Sequence, residues 1–254
     1  MNKTVFITGA TAGIGKACAE KFAAAGYNII ITGRRAKLLN EVSEALRNSY
    51  DVDVYTLCFD VQDKEAVFTA VKSLPEPWQQ INLLINNAGL ALGREAFDEA
   101  NIEDWETMLH TNVDGLLYVS RAVLPFLKKQ PGAHVINIGS IAGKEVYENG
   151  NVYCASKFAV DAITKAMRID LMKHGIKVTG IHPGAVETEF SIVRYKGDEE
   201  KANAAYTGFV PLTGADIADA ILYCSSLPPH VCINELTITC LQQAGTYYFY
   251  KNGY

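Results

Sequence analysis

Nowhere in this chain do two cysteines form a Cys-x-x-Cys pair. Cys18, Cys58, Cys154, Cys224, Cys232 and Cys240 are scattered through 254 residues. That scatter argues against a disulfide framework or a zinc site, so metal ligands are not expected. It predicts six small, buried apolar residues in a reducing compartment. No apolar run approaches the roughly 18 residues of a membrane span. Met1-Asn2-Lys3 leads straight into a β-type segment, without the charged region, apolar stretch and cleavage site of a secretory leader. A cytoplasmic location is expected. There is no basic stripe. The net charge is −5 and the sequence pI about 5.6, which argues against nucleic acid or an anionic membrane as a partner. No Pro/Gly/Ser-rich linker divides the chain, and a single domain over 1–254 is expected.

The chain is 49% hydrophobic, and its apolar residues fall into an alternating pattern. Short β-branched runs at 4–8, 28–32, 52–58, 82–85, 135–138, 177–181 and 235–239 alternate with helical periodicity at 17–25, 37–47, 64–74, 104–129, 151–173 and 215–226. Strands separated by helices of ten or more residues imply βαβ crossovers. The fold class is α/β, a doubly wound parallel sheet of about seven strands with helices on both faces. Residues 183–211 carry no firm assignment, and a segment of that length after a strand predicts a functional lid.

Between the first strand and first helix lies Thr8-Gly9-Ala10-Thr11-Ala12-Gly13-Ile14-Gly15. Glycines there let the backbone turn tightly against a pyrophosphate, and the amides opening the helix face the anion. At the end of the second strand, where NAD binders carry an acidic residue for the ribose hydroxyls, the chain has Arg34-Arg35. Two guanidinium groups suit a ribose 2′-phosphate, which predicts NADP over NAD. Asp60-Val61, after the third strand, are candidates to hold the adenine. Asn86-Asn87-Ala88-Gly89, after the fourth, offers small residues against which a ribose can lie and amides that can brace neighbouring strands.

Tyr153-Cys154-Ala155-Ser156-Lys157 sits in the helical region 151–173, so Tyr153 and Lys157 stand one turn apart on one face. A free tyrosine has a pKa near ~10; lowering it by about 3 units takes roughly 4 kcal/mol of differential stabilisation. A fixed ammonium beside the phenol is expected to supply this, giving a general acid/base at a carbonyl or alcohol carbon.

In this order the motifs resemble the short-chain dehydrogenase/reductase family: Thr-Gly-x-x-x-Gly-x-Gly at 8–15, Asn-Asn-Ala-Gly at 86–89, Ser140 after the fifth strand and Tyr-x-x-x-Lys at 153–157. The resemblance implies a Rossmann fold with a cofactor half at about 1–140 and a catalytic and lid half at about 140–254. It implies a catalytic set of Asn112, Ser140, Tyr153 and Lys157. Tyr153 would exchange the proton, and Ser140 would orient the substrate oxygen. Lys157 would lower the tyrosine pKa and hold the nicotinamide ribose, and Asn112 would organise a water reaching solvent. Gly9, Thr11, Gly13, Ile14, Gly15, Arg34, Arg35, Asp60, Val61, Asn87, Ala88 and Gly89 would line the cofactor. Pro183-Gly184-Ala185-Val186-Glu187-Thr188 resembles the segment that holds the nicotinamide amide, which adds Pro183, Gly184, Val186 and Thr188.

A closer resemblance is carried by residues 86–93, 103–108, 150–153 and 189–198, which look like the NADP-dependent 3-hydroxy acid dehydrogenases. It implies small substrates such as serine, allo-threonine or 3-hydroxyisobutyrate-like acids. Their carboxylate needs an anchor, and Arg194 is the first choice because a guanidinium can hold it in two bonds; Lys196 is the second. Within residues 141–149, Lys144, Glu145 and Glu148 make that wall more charged than the resemblance suggests. A reductase of bulkier ketones or aldehydes, or a non-catalytic NADP-binding regulator, are the competing readings. The aromatic stretch 247–254 is expected to pack on a neighbouring subunit of a homotetramer, or to fold back on a monomer.

Overall fold

The computed structural model describes residues 2–251. Seven strands carry the sheet: β1 Thr4–Ile7, β2 Asn28–Gly33, β3 Val54–Cys58, β4 Ile81–Asn86, β5 His134–Ile138, β6 Lys177–Pro183 and β9 Glu235–Ile238. Their order is β3-β2-β1-β4-β5-β6-β9 and every pairing is parallel. In β1 and β5 every residue is buried, as a strand covered on both faces requires.

The helices divide between the two faces. On one, α1 Gly13–Ala24, α2 Ala36–Ser49 and α9 Gly214–Ser226 bury Phe22, Leu46 and Ile221 against Val5, Ile7 and Ile31. On the other, α3 Lys64–Lys72, α5 Gly115–Leu127 and α6 Asn151–Leu171 bury Val67, Val123 and Leu171 against Phe6, Ile30 and Leu84. The strand order reverses at β1, whose carboxyl end opens between β2 and β4. Ligands of open parallel sheets bind at such a switch point.

The long helix expected over 104–129 is interrupted. α4 Ile102–Leu109 passes into a π-helical turn at His110–Asp114 before α5 begins. The stretch 183–211 is largely ordered as β7 Val186–Glu187, α7 Glu189–Arg194 and α8 Glu199–Ala204, and β7 pairs with β8 Leu212–Thr213. All six cysteines are free thiols, but the expectation of six buried ones is corrected: Cys58 is exposed and Cys232 half-buried, because they lie at the end of β3 and in the loop before β9. No helix among the described residues is long and apolar enough to cross a membrane.

Candidate active site

The ends of β1 and β4 are tied by side chains. Thr8 Oγ1 accepts from the amides of Asn87 and Ala88, both at 2.9 Å, and Asn87 Nδ2 donates to Thr8 O at 2.9 Å and Gly9 O at 3.2 Å. One residue earlier, Asn86 Nδ2 donates to Ser120 Oγ and Asn137 Oδ1, both at 2.8 Å. These bonds fix the two glycine-bearing turns side by side. Gly9 and Gly13 have φ of +65° and +53°, and a Cβ on Gly15 would overlap Gly9 O and Asn87 Nδ2. No side chain caps the start of α1, where Ala12 stands at the N-cap, and its first turn has no acidic residue. The opening amides of α1 are left for an anion.

A cavity of about 1010 Å³ runs from this turn past the carboxyl ends of β1, β4 and β5 to the lid. Of the residues assigned from the sequence, all but three line it: Thr11, Gly15 and Asn112 stand behind its wall. Thr11 instead accepts from Arg35 Nη2 at 2.8 Å, and Arg35 Nη1 reaches Glu189 Oε2 at 3.0 Å. Arg34 Nη1 lies 3.2 Å from Asp60 Oδ2. These ion pairs are exposed at both partners, where a pair is worth about 0–1 kcal/mol, so either fork is readily released to a phosphate. The glycine cradle, the uncapped helix start and the two arginines at the end of β2 together fit a phosphorylated dinucleotide.

At the inner end stand Tyr153 and Lys157, both buried. The backbone of Gly143 packs tightly against α6, since a Cβ there would come within 2.5 Å of Lys157 O; this sets the turn beginning at Ser140 beside Tyr153. Lys157 Nζ donates to Ile138 O at 3.0 Å and lies 6.0 Å from the centre of the Tyr153 ring. Burial pushes the Tyr153 phenol above its ordinary pKa; the nearby Tyr147 adds to this, while the Ser140 hydroxyl and the Arg194 charge oppose it. Burial alone pulls Lys157 down to about 8. The amine bonds to a main-chain carbonyl, and burial of the ring is the largest influence on the phenol, raising its pKa.

Asn112 is held by the π turn. Its Oδ1 accepts from Leu90 N at 2.8 Å, and its Nδ2 donates to Leu90 O at 2.9 Å and to Ser156 Oγ at 3.0 Å. The side chain thus braces the 86–90 turn against α6. It reaches the cavity wall through Leu90 and Gly89; a Cβ on Gly89 would stand 3.1 Å from Asn112 Oδ1 and 3.5 Å from Lys157 Nζ.

Helix α7, within the stretch expected to form a lid, brings Arg194 beside Tyr153. Its guanidinium stacks 5.5 Å from both the Tyr147 and Tyr153 rings, and Nη2 donates to Tyr147 Oη at 2.8 Å. It has no carboxylate partner among the described residues. Lys196, the second choice, is turned away and paired with Asp104 Oδ2 at 2.7 Å. Arg94 and Tyr147 were not singled out from the sequence, yet both line the cavity, with the Arg94 guanidinium 5.8 Å from the Tyr147 ring. The charges of the 141–149 loop do not face the cavity. Lys144 Nζ reaches Asp161 Oδ1 and Glu235 Oε2, both at 2.7 Å; Glu145 holds Thr246, and the Glu148 amide donates to Tyr247 Oη. The tail folds back along its own chain: Phe249 stacks on Phe209 at 4.9 Å. Residues 252–254, part of the stretch expected to pack on a neighbour, lie outside the described residues.

The family model for short chain dehydrogenase matches residues 3–199. The chain is 43% identical over 245 residues to sulfoacetaldehyde reductase 2 of Chromohalobacter salexigens, covering 96% of each chain. It is 44% identical over 241 residues to the NADP-dependent 3-hydroxy acid dehydrogenase YdfG of Escherichia coli, covering 94% of this chain and 96% of that one. Among solved structures it superposes on the closed form of serine dehydrogenase complexed with NADP+ at a TM-score of 0.90, with 43% identity over 95% of this chain and 96% of the other.

Proposed function

The chain belongs to the short-chain dehydrogenase family, and on that premise we propose that it moves a hydride between NADP(H) and a small 3-hydroxy or 3-oxo acid. The observation that carries the substrate class is Arg194, a guanidinium beside the Tyr153 ring with no carboxylate partner among the described residues. A 3-hydroxy acid places its carboxylate one carbon from the reacting centre, and a planar fork can take that group in two bonds.

Bound NADP supplies the hydride acceptor, or in reduced form the donor. The residues of the chain supply the rest. In reduction the protonated Tyr153 phenol gives its proton to the carbonyl oxygen, and in oxidation the phenolate takes the alcohol proton. The Ser140 hydroxyl, next to that phenol, orients the same oxygen. Lys157, on α6, extends its amine to the end of β5 beside Gly89, where it would hold the nicotinamide ribose and replenish the proton. Asn112 supports this by fixing the turn that carries Gly89, and Arg34 and Arg35 select the 2′-phosphate. Pro183, Gly184, Val186 and Thr188 form the nicotinamide end of the cavity. Exposed Leu117 on α5, and Phe158 and Ile169 on α6, favour a homotetramer joined through those helices in the cytoplasm; light scattering giving a monomer at micromolar concentration removes that part.

The test is NADP+ and NAD+ reduction by L-serine, L-allo-threonine, 3-hydroxyisobutyrate, isethionate and a simple secondary alcohol. The expected outcome is turnover of the carboxylates with NADP+, with Arg194→Ala raising KM for them about tenfold or more and leaving the uncharged alcohol unaffected. Equal losses on both kinds of substrate remove Arg194 from the role. A preference for isethionate, the sulfonate with the same spacing, replaces the 3-hydroxy acid reading.

A further inference from the structure

The C-terminal residues do more than cover the chain's end. Gln243 and Phe249 form an antiparallel bridge, Ala244 N donates to Tyr248 O at 2.9 Å, and Tyr250 N donates to Gln242 O at 2.9 Å. The result is a small terminal hairpin over 242–250. A two-stranded hairpin is marginal by itself, and Tyr248 and Tyr250 are exposed, so its position comes from what it touches.

It touches both sides of the site. Toward the lid, Phe249 stacks on Phe209, and Lys251 Nζ lies over both rings at 5.8 and 5.9 Å. Toward the floor, buried Gln243 accepts from Ala185 N at 2.8 Å, inside the Pro183–Thr188 stretch. Toward the loop that begins at Ser140, Glu145 Oε2 accepts from both Thr246 N and Thr246 Oγ1 at 3.0 Å. Gln243, Thr246, Tyr247, Phe249 and Lys251 line the same cavity as Tyr153 and Arg194.

We propose that the terminal hairpin is the third wall of the substrate chamber, that it sets the size of what the chamber admits, and that Glu145 is the positioning residue that seats it. Glu145 suits this role because it does not line the cavity, so changing it alters the wall's position and leaves the lining chemistry intact. Its carboxylate holds two donors of one residue, and those bonds keep it ionised below the ordinary carboxylate pKa. The wall rests on the reading of Tyr153 as the reacting end of the cavity, but not on the carboxylate preference.

The test compares the parent with Glu145→Ala, Glu145→Gln and Thr246→Val on two size series: uncharged aldehydes from propanal to 3-phenylpropanal, and 3-oxo acids from small to aryl-bearing. The wall predicts that Glu145→Ala raises the large-to-small ratio of kcat/KM about tenfold in the aldehyde series, the scale on which a pocket discriminates by size. The shift appears mainly as a higher KM for the small members and a lower one for the large. Glu145→Gln, which still offers an acceptor oxygen, stays near the parent ratio, and Thr246→Val falls between. Hydrogen exchange at the Thr246 amide speeds up in Glu145→Ala while NADPH affinity holds. A ratio unchanged within twofold in Glu145→Ala overturns the proposal, with or without faster exchange. If the 3-oxo acids are not turned over at all, the substrate reading fails and the aldehyde series still decides the wall.

Discussion

Lys157 is a buried amine bonded to the Ile138 carbonyl, with no ion pair to a carboxylate among the described residues. Its pKa falls from 10.5 to about 8, so between those values the folded chain has released a proton that the unfolded chain keeps. The cost of burying the charge, of order 3 kcal/mol, is thus fully present below about pH 8 and fades as pH rises toward 10.5. Lys157→Met should be more thermally stable than the parent at pH 7, with the advantage shrinking by pH 9.5; calorimetry of both proteins at the two pH values reads this directly. The same amine loses its charge on the alkaline side of pH 8, where the proton supply proposed for Tyr153 would weaken. At the other end of the cavity, the ion pairs of Arg34 and Arg35 are exposed, and Arg35 also donates to Thr11. Changing both to Ala should raise the NADPH dissociation constant about a hundredfold, since hydrogen bonds to charged groups contribute about 1.5–3 kcal/mol each. NADH affinity should stay level, and a fluorescence titration with both nucleotides separates the cases.

Among the elements, the π turn at His110–Asp114 carries the most consequence for its length. An extra residue in the helical ladder turns Asn112 inward, where its amide makes three bonds to Leu90 and Ser156. Asn112→Ala strands the Leu90 amide and carbonyl, which should lower stability by about 1–3 kcal/mol and loosen the Gly89 turn. Urea melts together with a weakened NADPH affinity would show both; an unchanged melt would leave Asn112 with no bracing role. The turn was invisible in the sequence because 104–129 keeps a helical apolar period through it. The strands were legible for the opposite reason: buried on both faces, they appear as unbroken β-branched runs. α1 starts at Gly13, four residues before the apolar period at 17 begins, because glycines carry no period. α7 and α8 are too short for one, although Thr188 and Asp198 cap them.

Across the whole molecule, the parallel sheet gathers residues from distant stretches at one edge. Motif spacing made the glycine-rich turn and the Tyr153–Lys157 pair legible, since each is a short contiguous stretch of sequence. The substrate end was less so. Glu145 and Thr246 are 101 residues apart in the chain, and Arg94 and Tyr147 come from loops with no period of their own. The raised pKa of the phenol was also hidden, because it depends on how completely the folded chain encloses the ring. On the function proposed above Tyr153 gives its proton in reduction, and replacing its hydroxyl alone tests that most directly. Single-turnover oxidation of NADPH by Tyr153→Phe, with an accepted oxo acid, should be slower by about 10²–10⁴ while NADPH binding stays within about twofold. A Phe variant that reduces the same acid at the parent's rate would contradict the account.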